Sequence, residues 1–474
     1  MGYVNMKKFN KDKYLRKLRF KKYKRYLYIG IPCILVLLVG IYFAYSKFSV
    51  SKEEDVVRTT VGEFIHGDVV IGAYIDGEYS KSIPGKNDGY VVKSVSCDND
   101  ATASWDNDSW GIVLTNLTKR TKCNIYFETK KPSLNEAVTT AMSNNPSMFA
   151  TDDPGKNVRY IGANPNNYVY FNCSDYNNQT ADTCELWRII GVFNNVTKSD
   201  GSKENLVKII RADSLGDYSW DYKKNGVGTS TNDNGSNDWS DSQLMMMLNP
   251  TSYLKSGYTN SNDIISSGSQ QLYSKMGSYY NGTKGCSPAA IASGASFSCT
   301  EVDFTSTGLK NDITRNAIEE VVWNLGSVSE RYNSLTTSAF YASERDTTVY
   351  TGRPTTWTGK IGLMYPSDYG YATSGGTTKD RAACLAEEPS RWWDYDFRDC
   401  KGNDYLYNSS LKQRTLVPDS ADVSYVFLVE SDGYVNYYHA RIAIAVRPAL
   451  FLKSSIMVKS GTGEKNNPYT LSVQ

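Results

Sequence analysis

Twenty consecutive uncharged residues, Tyr26 to Tyr45 (YLYIGIPCILVLLVGIYFAY), constrain this chain more than any other stretch. At ~1.5 Å of rise per residue, a helix of that length spans a hydrocarbon core of roughly 30 Å. Tyr26, Tyr28, Tyr42 and Tyr45 stand near its ends, where amphipathic rings prefer the membrane interface. A cleaved signal peptide would carry a shorter apolar core followed by a small-residue cleavage site, and a buried core helix would not adjoin so basic a block. Residues 1–25 hold eleven Lys or Arg and a single acid, Asp12. Positive charge stays on the cytoplasmic side. The expectation is therefore a single-pass plasma-membrane protein: a cytoplasmic arm over 1–25, a transmembrane helix in the lipid bilayer over 26–45, and an extracellular remainder. Nucleic-acid binding is the other reading of the arm, but beside a membrane span, topology and anionic lipid explain it better.

The formal charge of +2 conceals an asymmetry. The arm carries eleven of the 52 basic residues and one of the 50 acidic ones, so the rest of the chain is acidic by about eight charges. That balance excludes a polyanion binder, nucleic acid included, on charge. The remainder is rich in Tyr, Asn, Ser, Thr and Gly, which suits a β-rich, loop-rich surface more than a metabolic enzyme. Of nine cysteines, Cys33 falls in the apolar run and the others fall as near neighbours: Cys97/Cys123, Cys173/Cys184, Cys286/Cys299 and Cys384/Cys400. Each pair brackets a short polar loop, so sequential disulfides are expected, although eight cysteines permit many other pairings. Zinc is the competing reading. No C-x-x-C occurs, and His66 and His439 are the only histidines.

Residues 46–62 read as a polar stalk. A small all-β module is expected over 63–130, with strands at Val69–Ile75, Tyr90–Cys97, Thr102–Trp105, Trp110–Thr115 and Cys123–Phe127, and a tight hairpin at Asp76-Gly77. Residues 131–156 read as a helical linker, opened by a Ser133/Glu136 capping box and stopped near Asn144-Asn145-Pro146. From 157 to 474 the pattern is that of one large α+β domain. Its strand candidates are Tyr168–Asn172, Leu186–Val196, Leu206–Arg211, Lys360–Tyr365, Tyr425–Val429, Tyr434–Tyr438, Arg441–Leu450 and Tyr469–Val473. Its helix candidates are Ser240–Asn249, with Ser240 as cap, and Asn311–Leu325. Trp187 and Arg188 read as core and strand-edge residues. The polar stretches 212–238, 276–310 and 366–420 are longer than ordinary loops, which suggests stapling by the cysteines.

Two resemblances add to this. The segment SIPGKNDGYVVKSVSCDNDATASWDNDSWGIVLTNLTKRTKCNIYFE resembles a module repeated in surface proteins of gut Firmicutes and mollicute-like bacteria, and implies an immunoglobulin-like spacer. The ordered landmarks YIGANPNNYVYFN, ELWRIIGVFNNV, NLVKIIRADSLGDYSWD, DWSDSQLMMMLN, KIGLMYPSDYGYA and ARIAIAVRPALFLKSSIMVKSGTGEKNNPYTL resemble an extracellular domain common in gut Firmicutes. That pattern is similar to the formylglycine-generating-enzyme branch of the C-type-lectin-like folds. Arg447-Pro448-Ala449-Leu450 and Gly461-Thr462-Gly463 with Asn467-Pro468-Tyr469 carry it most specifically. The resemblance implies long loops on a small twisted sheet, used mostly for binding. The enzyme branch needs a reactive cysteine pair and copper, and no stretch here matches it residue by residue.

Chemical motifs are scarce. No G-x-S-x-G, P-loop or GxGxxG occurs, and Ser252-x-x-Lys255, Ser409-x-x-Lys412 and Lys459-Ser460-Gly461 are patterns that arise by chance in a Ser- and Lys-rich chain. Two stretches suit binding. In Arg391-Trp392-Trp393-Asp394-Tyr395-Asp396-Phe397-Arg398-Asp399, flat rings stand among charges, as in sugar or protein recognition; the alternative is that both Trp residues plug the core. In Thr231 to Trp239 the oxygen density could hold Ca²⁺ through Asn232, Asn234, Asp238 and Asp241; the alternative is a turn leading into the next helix. The expected function is non-catalytic, adhesin-like binding of an extracellular glycan or protein. A cell-surface glycan or cell-wall hydrolase using paired carboxylates is the alternative.

Overall fold

The computed structural model describes Arg16 and residues 57–59, 69–115, 120–221, 234–253, 277–286, 301–328 and 335–473. The 26–45 run, Asn232, His66 and the Cys286–Cys299 pairing lie outside the described residues. Among those described, no helix is long and apolar enough to cross a membrane. Strands dominate and helices are few and short. The chain divides into two units at Lys130/Lys131.

The first unit is built from two sheets sharing one core. One sheet orders Glu78–Ser80, Val69–Ile75, Thr121–Thr129 and Tyr90–Cys97; the other orders Val57–Thr59, Gly111–Thr115 and Thr102–Asp106. Alternation along Thr121–Thr129 sends Cys123, Ile125 and Phe127 inward, where they meet Ala73, Ile112 and Leu114. Asp76 and Gly77 both take positive φ (49° and 91°), the tight hairpin turn their sequence predicts. The Cys97–Cys123 disulfide joins residues directly opposite each other in the sheet. The pairing of Val69–Ile75 with Thr121–Thr129 is parallel, which alternation alone cannot reveal.

The second unit rests on a seven-stranded sheet. Its order is Ile361–Gly362, Ala449–Leu452, Lys203–Arg211, Glu185–Thr197, Val158–Tyr160 and Phe149–Ala150, with Tyr168–Phe171 also paired to Glu185–Thr197. The Ile189–Phe193 run is buried at every position, as befits a strand covered on both faces. Gly191 is obligatory there, since a Cβ would lie 2.2 Å from the Val158 carbonyl oxygen. A five-stranded sheet orders Asp217–Tyr218, Ile444–Ala445, Gln413–Pro418, Tyr425–Val429 and Val435–His439. The Leu134–Asn144 helix, with its Ser133/Glu136 capping box, buries Leu134 and Val138 in the same core, so the 131–156 segment belongs to this unit.

Several elements depart from the sequence reading. Asn311–Leu325 is not one helix. It ends at Ala317, and Val321–Asn324 is a strand paired with Thr356–Gly359; the β-branched and aromatic side chains there satisfy a two-residue period as well as a helical one. The helix near 240 starts at Gln243 with Ser242 as its cap, after a 3₁₀ turn at Trp239–Asp241. Lys360–Tyr365 keeps only Ile361–Gly362 as strand, because Pro366 opens a helix. Arg441–Leu450 splits between the two sheets. Arg447 bridges them, donating to the Arg211 carbonyl at 2.9 Å in one and to Gln413 Oε1 at 2.7 Å in the other. The 366–420 stretch contains two helices and a strand, and the Cys384–Cys400 disulfide staples it. Cys173 and Cys184 are also joined.

The core of the second unit is charged at its centre. Asp368, in the first turn of the Pro366–Tyr371 helix, lies 2.9 Å from Arg159 Nη1 and 2.6 Å from Lys208 Nζ, and Arg159 also pairs with Asp153. All four side chains are buried. Asp368→Ala would leave two buried cations short of their counter-charge and is expected to cost about 3–5 kcal/mol, read by chemical denaturation; a loss under about 1 kcal/mol would show that the pair contributes no more than an exposed one.

Two other buried carboxyls behave differently. Burial pushes Asp221 and Asp404 up to about 7. An unfolded carboxyl titrates near ~4, so between about 4 and 7 the folded chain binds more protons and loses stability as pH rises. In Asp404→Asn this slope is expected to flatten by on the order of 1 kcal/mol per pH unit, measured from denaturant midpoints across that range. Parallel curves for the two proteins would contradict it.

Candidate ligand-binding surface

The Arg381–Ala386 helix starts from Asp380, whose carboxylate accepts the Ala383 amide at 2.8 Å. It delivers Cys384 to Cys400, which sits in the 3₁₀ turn Arg398–Cys400. The loop so closed is tied from both ends. Asp399 accepts the backbone amides of Thr377, Thr378 and Lys379 at 2.9, 2.6 and 2.9 Å. Those amides hold its carboxyl down at about 2. Inside the loop, the Asp394 carbonyl accepts both the Phe397 and Arg398 amides.

This frame sends two adjacent tryptophans in opposite directions. Trp392 is fully buried and packs on Tyr369, ring centroids 5.5 Å apart; the Tyr369 hydroxyl donates to the Gly433 carbonyl at 2.8 Å. Trp393 is 60% exposed and Tyr395 75% exposed. Tyr434 approaches Trp393 edge-on at 6.5 Å. The Arg398 guanidinium lies 4.4 Å over the Tyr395 ring, and Arg391 lies 4.3 Å over Phe397 while reaching Asp394 at 3.5 Å. Of the five residues Arg391 to Tyr395, then, four line the surface and Trp392 anchors it from below. Tyr434 was invisible as a member, because nothing local in the sequence records that its hairpin lies against the loop.

The acidic stretch is placed differently. Asp238 accepts the Ser240 amide and hydroxyl at 3.0 and 2.7 Å and so caps the Trp239–Asp241 turn. The Asn234 carbonyl accepts the Arg441 amide, and Asp241 is buried. Asp221 lies close enough to feel the charges of Asp238 and Asp241. Among the described residues, no three His, Cys, Asp or Glu side chains form a group able to hold a metal ion. His439 stacks on Tyr425 at 4.3 Å, with Nδ1 3.0 Å from Ser424 Oγ. Lys412 lies 3.0 Å from Glu430.

The surface presents exposed rings on a fixed frame, with guanidinium and carboxylate groups beside them, an arrangement that can bind and orient a ligand. Comparisons with protein-family models, characterised proteins and solved structures find no match.

The two tryptophans separate anchoring from display. Trp392→Ala is expected to destabilise by about 3–5 kcal/mol, while Trp393→Ala stays within about 0.5 kcal/mol of the parent. Denaturation of both variants decides this, and equal losses would mean that Trp393 is a packing residue.

Proposed function

We propose that this chain is a membrane-anchored bacterial cell-surface protein that binds an extracellular glycan or protein through the Trp393/Tyr395 surface. The observation that carries the reading is the pair of exposed rings on a loop braced by a disulfide, a buried tryptophan and the Asp399 hydrogen bonds. Rings already fixed in place lose little entropy when a ligand covers them, and neighbouring charges fix its orientation. The disulfides support an oxidising compartment. The apolar run at 26–45 supports a single span in the plasma membrane with the N-terminus in the cytoplasm. In this reading the first unit is an immunoglobulin-like spacer and the second a C-type-lectin-like binding domain of the extracellular family whose landmarks it shares.

The test is a glycan and protein array probed with the full chain in detergent. Retained binding that falls about thirtyfold or more in Trp393→Ala, the loss of one interface hot spot of ~2 kcal/mol, is the expected result. Turnover of a glycan without retained binding would replace the proposal with the hydrolase reading.

A further inference from the structure

Lys208 has an unusual place for an amine. It stands in the Lys203–Arg211 strand of the large sheet with its side chain wholly buried. Four rings surround Nζ: Tyr365 at 4.4 Å, Trp323 at 5.2 Å, Phe193 at 5.5 Å and Phe451 at 5.6 Å. Its polar contact is Asp368 Oδ2 at 2.6 Å, from a carboxyl that is itself buried. The other carboxyl oxygen, Oδ1, accepts from Arg159 Nη1 at 2.9 Å. A second buried acid, Glu344, is hydrogen-bonded to the amide and hydroxyl of Ser367, the residue before Asp368, and lies 2.9 Å from Arg345 Nη1.

From this geometry we propose that Lys208 and Asp368 condense into an intramolecular amide. Nζ bonds to Cγ of Asp368 and the Cγ–Oδ2 bond breaks. The ammonium gives up two protons, which leave with Oδ2 as one water, and the amide nitrogen keeps the third. Net charge is unchanged, nothing is oxidised or reduced, and no co-reactant enters. The guanidinium of Arg159 is already at Oδ1, where negative charge develops as the nitrogen adds. Glu344, held on Ser367 next to Asp368, is the group assigned to relay protons from Nζ to the departing oxygen.

Burial favours the protonation states this needs in two of the three groups. It lowers the pKa of Lys208 and raises that of Glu344. Asp368 is the exception, because Lys208 and Arg159 hold it ionised against burial. The reaction therefore starts from the ion pair, and the proton must first leave Nζ. Condensation removes two formal charges from an interior where isolated charges are costly; the product carbonyl keeps its hydrogen bond to Arg159, and the loss of Oδ2 releases the Tyr365 amide it accepts at 3.0 Å. Exclusion of water from the site disfavours hydrolysis back to the pair. The bond would tie the large sheet to the Pro366–Tyr371 helix across 160 residues of sequence, a long closed loop that restricts the unfolded chain strongly.

A peptide map of the full chain, reduced and alkylated so that disulfides cannot contribute, decides the matter. Trypsin should leave residues Glu204–Arg211 uncut at Lys208 and joined to Ile361–Lys379 as one branched species, lighter than the sum of the two by a single water. Cleavage after Lys208 in all molecules, with Ile361–Lys379 recovered at full mass, would overturn the proposal and leave an ordinary buried ion pair. Glu344→Gln keeps the shape and is expected to lower the branched yield at least tenfold; an undiminished yield would remove Glu344 from the step. Lys208→Met must abolish the branched species, and its persistence would show that another amine was misassigned. The wild-type map stands even if a variant does not fold.

Discussion

Asp368 is one carboxylate serving two cations, and the second unit is arranged around it. Arg159 comes from the Val158–Tyr160 strand, Lys208 from the Lys203–Arg211 strand, and Asp368 from a helix more than 150 residues further along the chain. Apolar contact alone would let these elements slide, since it rewards area and not register. A buried charge does not allow sliding, because separation from its partner exposes the full desolvation penalty. Asp368 also accepts the Tyr365 amide at 3.0 Å and so starts its own helix. One side chain thus fixes a helix N-terminus and its distance from two strands.

Buried polar side chains with paired donors and acceptors recur elsewhere in this unit. Arg447 stands between strands of different sheets and spends its donors on both. Arg188 lies 3.8 Å over the Tyr168 ring and donates to that residue's hydroxyl at 2.7 Å. Asp404 gives one oxygen to the Leu406 and Tyr407 amides, and burial keeps its carboxyl protonated up to about 7. The interior therefore holds charged pairs and neutralised acids side by side. Burial acts on Asp368 and Asp404 alike, but only Asp368 of the two has two cations in direct contact; at Glu344, one cation 2.9 Å away does not outweigh burial.

Much of the strand content was legible because its cause is local. Val69–Ile75 alternates, and Tyr425–Val429 is an unbroken run of β-formers. The Ser133/Glu136 box starts its helix as written, and three of the expected cysteine pairings form across short loops. What failed has non-local causes. Val321–Asn324 carries a helical stripe, yet a waiting partner at Thr356–Gly359 makes it a strand. Arg441–Leu450 reads as one strand because nothing within it announces that Arg447 must face two sheets. The ion network was illegible for the same reason: Arg159, Lys208 and Asp368 are unremarkable in sequence and meaningful only together. At the candidate surface the sequence showed rings among charges, but not that Trp392 and Trp393 part ways.

That parting bears on how the surface works. A loop held only by its ends would collapse onto an exposed ring, since burying Trp393 would gain apolar contact at little cost. Here Trp392 already fills the space beneath, against Tyr369, and Tyr369 is tied to Gly433 on the neighbouring hairpin. Gly376 packs so close to Asp399 that a Cβ would come within 2.2 Å of its carbonyl oxygen. The space below is thus occupied, and the loop backbone is braced by the Cys384–Cys400 disulfide and the Asp399 hydrogen bonds. The packing under them accounts for the exposure of Trp393 and Tyr395 in this unit.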